Sequence, residues 1–181
     1  MDDLDLARTV TRGDREAFQR IIDEHASAVY RTCYRILRDP RDAEDATQET
    51  FIAAYRAMGS YRGEGSLAAW LSRIAARRSF AIVGRRRPME SLEISAATVP
   101  VSDDAGDPQV SAIRADRRRR LIALVATLPE THREVIALLY FGDRTLTEIA
   151  QLTGRPVGTV KTHLHRGLVR LRSLMEEGRD A

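Results

Sequence analysis

An all-α fold is what this sequence predicts: two small helical domains joined by a flexible linker, the second containing a helix-turn-helix. Three observations predict it. Apolar residues recur at three-four spacing almost from end to end, with no alternating strand pattern. Residues 85–112 break that rhythm with three prolines, several acids and small polar residues, which marks a linker between residues 1–84 and 113–181. Residues 145–156 place a capping-box pair, a small residue and a glycine at the intervals of a tight turn between two helices.

Taken in order, Phe18, Ile21, Ile22, Val29, Cys33, Ile36 and Leu37 form one stripe of a helix over Ala17–Leu37. Asp39-Pro40 ends it. Asp42 is placed to cap a second helix, which runs to about Met58 and stops at Gly59. After a short glycine-containing loop, Ser66 opens a third helix with Leu67, Trp70, Leu71, Ile74 and Ile82 inward. Beyond the linker, Leu121, Leu124, Val125 and Leu128 make another stripe. Pro129 suits the start of the next helix, which carries Val135, Ile136, Leu138 and Leu139 as far as Gly142.

Composition narrows the function. The chain has 181 residues, is 43% hydrophobic and 30% charged, and contains no apolar run long enough to span a membrane. The opening MDDLDLARTV lacks signal-peptide character, so a cytoplasmic protein without membrane insertion is expected. The single cysteine, Cys33, leaves no intramolecular disulfide and no cysteine-rich zinc site, and its place on an apolar stripe makes it inert core. Lys161 is the only lysine, which excludes a Gly-Lys-Ser/Thr phosphate loop. Charge is uneven: residues 1–84 carry 13 basic and 13 acidic side chains, residues 85–112 carry 3 and 5, and residues 113–181 carry 13 and 8. A basic C-terminal third suits a phosphate backbone.

The strongest local motif is TLTEIAQLTGRPVGTVKTHLHRGLVRL, residues 145–171. Thr145 and Glu148 have capping-box spacing, Ala150 is small where two helices cross, and Gly154 supplies the left-handed turn. Pro156 begins the second helix, whose inner side is Val160, Leu164, Leu168 and Leu171. Its other side presents Thr162, His165 and Arg166, flanked by Thr159 and Lys161, donors suited to base edges and phosphates in a major groove. No third ligand accompanies the two histidines, so no metal site is expected.

In the N-terminal half, DAEDATQETFIAAYRAM (42–58) puts Asp45, Gln48, Glu49 and Ile52 on one face. Ala43, Ala46, Thr50, Phe51, Ala54 and Met58 occupy the other. The first face suits docking onto a basic partner helix. Further on, Arg73, Arg77, Phe80 and Gly84 share a face, and Arg78, Arg85, Arg86 and Arg87 add charge with no acid between Glu64 and Glu90. Arginines with an aromatic among them make a track for a single strand. Trp70 reads as core.

These stretches together resemble the extracytoplasmic-function branch of the sigma-70 family. Residues 42–58 resemble the segment that binds the clamp helices of RNA polymerase. YRGEGSLAAWLSRIAARR (61–78) resembles the promoter-melting segment, and LPETHREVIALLYFGDRTLTEIAQLTGRPVGTVKTHLHRGLVRLR (128–172) the minus-thirty-five-binding domain. The resemblance covers both domains in order and leaves only the linker unmatched. It implies that residues 1–84 bind core RNA polymerase and the minus-ten element, and that residues 113–181 bind the minus-thirty-five element. Asp45, Gln48, Glu49 and Ile52 would meet polymerase. The loop 60–66 would hold a flipped minus-ten base, with Ser60, Tyr61, Arg62, Arg73, Arg77, Arg78 and Phe80 along the unpaired strand. Thr159, Lys161, Thr162, His165 and Arg166 would meet the minus-thirty-five duplex. An anti-sigma factor is the expected regulator, with no cofactor and no catalysis. This chain departs from the family in having Ala76-Arg77 where Arg-Asn is usual and Ala81 where an Asp is usual. That trades an amide for charge and implies altered minus-ten discrimination.

Two other classes compete with this one. TVKTHL (159–164) also resembles the recognition helix of two-component and quorum-type activators. A receiver domain fails for want of a lysine before Lys161 and of strands, but a ligand-sensing helical activator stays as an alternative. For an enzyme, Asp39, Asp42, Glu44, Asp45 and Glu49 split across helix faces, and His25 lies two turns from Cys33, so no catalytic constellation forms.

Overall fold

The computed structural model describes residues 2–90 and 108–177. Every regular element among them is helical: α1 (Asp3–Thr11), α2 (Arg15–Leu37), α3 (Pro40–Ala57), a 3-10 turn at Met58–Ser60, α4 (Leu67–Glu90), α5 (Pro108–Ala126), α6 (Glu130–Tyr140), α7 (Leu146–Thr153) and α8 (Val157–Glu177). The helices form two groups, α1–α4 and α5–α8, as the periodicity predicts.

Short carboxylates start the first three helices. The side chains of Asp2, Asp14 and Asp39 each accept a hydrogen bond from the backbone N–H three residues on, at 2.7, 3.0 and 3.0 Å. The cap of α3 is therefore Asp39 rather than Asp42, whose N–H is the donor. Pro40, just after Asp39, needs no such partner. Helix α2 ends at Arg38, a non-glycine residue in the left-handed region at φ 57°. Its guanidinium lies over the Tyr34 ring, 5.2 Å from the centroid, which helps offset the strained backbone. Helix α1 has no counterpart among the helices expected from the sequence. It is short, and only Leu6, Ala7 and Val10 carry its buried stripe.

The first core joins Ile21, Val29 and Cys33 of α2, Ala43, Ala46, Phe51 and Ala54 of α3, and Leu67, Leu71 and Ala75 of α4. Cys33 is fully buried, and burial raises its thiol pKa, so the inert-core reading holds. Two further cores cross between the groups. Ile36, Ala76 and Phe80 pack with Ile122, Val125, Leu128, Ile136, Phe141 and Leu171. Ala69 packs with Val135, Leu138, Ile149, Leu152 and Val160. Helix α4 is thus buried on two sides, one toward each group, where the sequence indicates a single inner stripe.

The linker expected over 85–112 is entered by helix from both sides, since α4 continues to Glu90 and α5 begins at Pro108. Residues 91–107 lie outside the described residues. One apolar position also differs: Leu168, expected inward on α8, is 40% exposed. Gly167 takes the inner place, where a Cβ would come within 2.8 Å of Ile136 Cδ1 and 3.3 Å of His132 Cβ. The close crossing of α6 and α8 depends on this glycine.

Candidate nucleic-acid and polymerase interfaces

Helix α3 separates its two faces as the sequence predicts. Ala43, Ala46, Thr50, Phe51, Ala54 and Met58 are buried, while Asp45, Gln48, Glu49 and Ile52 all face solvent. Ile52 is 53% exposed, and Tyr55, one turn on, is 44% exposed and braced edge-on by Phe18 at 4.9 Å. Tyr55 extends the face beyond the residues singled out from the sequence. Two exposed apolar side chains beside carboxylates make a surface fit for a basic helix with apolar character.

The loop after α3 is held from inside. Tyr61 is buried, packs against Trp70 at 5.6 Å, and donates its hydroxyl to the Gly65 carbonyl at 2.8 Å. Burial, with Asp3 and Asp2 nearby, pushes its phenol up to about 12. Tyr61 therefore shapes the loop, while Ser60 and Arg62 stand exposed on it. Trp70 is half-buried against the first core, as expected. The N-terminus of α4 is tied down twice: the Ser66 side chain accepts from Ala69 N–H at 3.2 Å, and the Asp3 carboxylate accepts from Leu67 N–H at 2.7 Å.

Along α4 the expected strand track meets carboxylates from other helices. Arg73 donates to Glu134 at 2.5 Å, Arg77 lies 3.5 Å from Glu130, and Arg78 lies 4.0 Å from Glu49. Arg86 pairs with Asp42. Phe80 is 4% exposed, with its ring against Phe141 at 5.8 Å. Phe80 is thus covered, while Arg73 and Arg77 pair with carboxylates of α6 and keep much of their side chains in solvent, Arg77 being 79% exposed. Nearby, Arg35 of α2 reaches Asp143 at 2.5 Å and the Phe141 carbonyl at 3.3 Å. At Gly142 a Cβ would stand 3.0 Å from the Leu138 carbonyl oxygen and 3.5 Å from Ser72 Cβ. The two groups therefore meet closely. Sequence reasoning missed Glu130 and Glu134. They repeat the four-residue spacing of Arg73 and Arg77 with opposite charge, but no local pattern pairs two helices so far apart in the chain.

The C-terminal motif has the expected local geometry. Thr145 Oγ1 accepts from Glu148 N–H at 3.2 Å, and the Glu148 carboxylate accepts from Thr145 N–H at 2.8 Å. That backbone donor, more than Arg144, holds the Glu148 carboxyl below its usual range. Gly154 turns the chain at φ 63°. On α8, Thr159, Lys161, Thr162, His165 and Arg166 are all exposed, on one continuous surface. Thr162 donates to the Gly158 carbonyl at 2.9 Å, and no ion pair engages Lys161 or Arg166 among the described residues. Behind this surface His132 and His163 lie with ring centroids 5.6 Å apart, their Nδ1 atoms buried without partners. Burial first, then His163 and Arg166, lowers the pKa of His132. No cluster of three metal-ligating side chains occurs among the described residues.

Comparison with known proteins finds two family matches in the chain. The model for sigma-70 region 2 matches residues 21–87, and that for sigma-70 region 4 matches residues 118–171. The ECF RNA polymerase sigma factor SigW of Bacillus subtilis is 30% identical over 177 residues, covering 94% of this chain and 95% of that protein. The ECF RNA polymerase sigma factor SigK of Mycobacterium ulcerans is 33% identical over 179 residues, covering 97% and 95%. Among solved structures, CnrH in complex with the cytosolic domain of CnrY shares the fold at a TM-score of 0.54 and 22% identity, over 97% of each chain. With both sigma regions matched in order and relatives of that kind aligned along nearly the whole length, the chain belongs to the ECF sigma factors of RNA polymerase, within the sigma-70 family.

Proposed function

We propose that this chain is an alternative sigma factor that binds core RNA polymerase, recognises minus-ten and minus-thirty-five elements, and starts transcription under the control of an anti-sigma factor. It works in the cytoplasm and performs no catalysis itself. Asp45, Gln48, Glu49 and Ile52 of α3 dock on the clamp helices. Ser60, Arg62, Arg73, Arg77, Arg78 and Phe80 hold the unpaired minus-ten strand, with Tyr61 shaping the loop. Thr159, Lys161, Thr162, His165 and Arg166 of α8 read the minus-thirty-five duplex. The boundaries 1–84 and 113–181 follow this division of labour. Tethering through polymerase raises the effective concentration of each reader, so neither needs high affinity alone.

The observation that carries this reading is the pairing, in one chain, of a solvent-facing acidic and apolar helix face on α3 with a solvent-facing donor face on α8. An activator that binds duplex DNA needs only the second. Because Phe80 is buried against Phe141, and Glu134 and Glu130 pair with Arg73 and Arg77, strand capture along this face is favoured when the two helix groups separate. An anti-sigma factor that favours the closed arrangement, and polymerase that favours the open one, would then act on a single equilibrium.

The test is run-off transcription with purified core polymerase on fragments of the source genome, with and without the protein. Discrete start sites that depend on the protein support the reading. Specific duplex binding by the protein alone, with polymerase neither bound nor redirected, replaces it with the activator.

A further inference from the structure

Two histidines line the crossing of α6 and α8, apart from the side chains assigned above to polymerase or DNA. His132 of α6 and His163 of α8 are half-buried, with ring centroids 5.6 Å apart and planes inclined at 45°. One turn beyond His163, Gly167 is buried at the same place: a Cβ there would stand 3.3 Å from His132 Cβ. His132 therefore meets α8 at two successive turns. On the outer side of those turns stand Thr162, His165 and Arg166, the donors assigned to the duplex. Because the backbone of a helix is hydrogen-bonded along its length, a shift of the inner contacts carries the outer donors with it. Base-edge hydrogen bonds weaken steeply once displaced by roughly half an ångström.

The Nδ1 atom of each ring is buried and has no hydrogen-bond partner. A neutral imidazole meets this by keeping its proton on Nε2 and leaving Nδ1 bare. A second proton must go to Nδ1, where it makes a buried donor with nothing to accept it. Charge adds to that cost. His163 and Arg166 reach His132 from α8, both basic. The carboxylates of its own helix are engaged elsewhere, Glu130 with Arg77 of α4, and Glu134 with Arg73 of α4 and with Arg155. Arg133 is turned to the Ala126 and Leu128 carbonyls, and on α7 Glu148 pairs with Arg144. The ring in this seat is thereby held neutral, in line with its lowered pKa.

We propose that His132 is a positioning residue for minus-thirty-five reading: its neutral ring, set against His163 and Gly167, seats α8, and a proton on that ring displaces the helix and blunts recognition in acid. The inference rests on the duplex reading of α8 above and adds a pH range to it. Linkage gives the direction. In its seat the ring resists a proton, whereas once released it takes one near the ordinary value of 6.5. Recognition is therefore complete above that value and declines as pH falls through it.

The test uses the full chain in complex with core polymerase and a double-stranded fragment carrying a start site mapped by the run-off assay, with random duplex as reference. From about pH 7.5 to about pH 5.5, wild-type selectivity for that fragment should fall at least about tenfold. His165 is also titratable and stands on the DNA face, so each variant is compared with the wild type over the same range. The fall should be at least about threefold smaller in His132→Gln. It should be equally reduced in His132→Phe, which keeps a ring in the crossing but takes no proton. In the isotope-labelled free chain, the Gly167 amide resonance should move across this range in the wild type and stay in place in His132→Gln. Both readouts are taken where thermal melts show the chain fully folded. Equal falls in all three chains, or a Gly167 resonance that follows pH in the variant as in the wild type, overturn the inference. So does wild-type selectivity that rises in acid, which would mean that the two rings share the added proton. A wild-type complex with no selectivity at neutral pH overturns the minus-thirty-five reading itself, and this inference with it.

Discussion

Removing Asp45 and Glu49 together should abolish binding to core polymerase, because both carboxylates are exposed on α3 and support none of its buried face. Pull-down against core polymerase checks this, and an unaltered thermal melt shows that the fold is intact. On α8, His165→Ala or Arg166→Ala should each lower promoter discrimination by about 1–3 kcal/mol if the side chain meets a base edge. Titration against promoter and random duplexes separates the two roles, since an equal loss on both assigns the residue to phosphates. His132 gives a pH signature. Its pKa is lowered in the folded chain, so the unfolded chain binds the proton more readily, and stability is lost as pH falls through the unfolded value of about 6.5. Melting temperatures across that window should fall less for His132→Gln than for the wild type.

At the scale of elements, the local signals were legible and the reach of side chains was not. Thr145, Glu148 and Gly154 announce their turn because cap and turn chemistry act within a few residues. The two faces of α3 are legible because a buried stripe repeats with the helix. Asp42 was misplaced as a cap because two aspartates flank Pro40 and Arg41, and only the backbone decides which carboxylate meets a free N–H. Leu168 was misplaced because hydrophobicity alone does not register that Gly167 lets α6 approach α8. That crossing gives a prediction. Gly167→Leu should destabilise the C-terminal group by about 1–3 kcal/mol, because the added side chain must displace Ile136 and His132. Denaturant titration would show it as a lower midpoint with an unchanged slope.

For the whole molecule, the destination of Arg73, Arg77 and Phe80 was out of reach of sequence periodicity. Their partners stand some sixty residues away, across a segment whose course no local pattern dictates. That Arg73, Arg77 and Phe80 share one face was legible; which residues of the other group meet that face was not. Glu130→Gln/Glu134→Gln should weaken that closure while sparing the polymerase-binding face of α3 and the exposed donors of α8. The expected result is a larger radius of gyration in solution scattering and tighter capture of an unpaired minus-ten strand. An unchanged radius together with unchanged capture would mean that the apolar contacts of Phe80 and Phe141 hold the groups together without the carboxylates.

Under the proposed strand capture, Glu130 and Glu134 would stand where the strand's phosphates bring their own negative charge and would compete with them for Arg73 and Arg77. Dissolved ions weaken that competitor and the ligand by the same screening. Raising ionic strength loosens the internal clasp as it loosens the grip on DNA, and the two losses partly cancel. Under the proposed strand capture, promoter engagement by the intact chain should therefore fall less steeply with salt than a count of its arginines suggests.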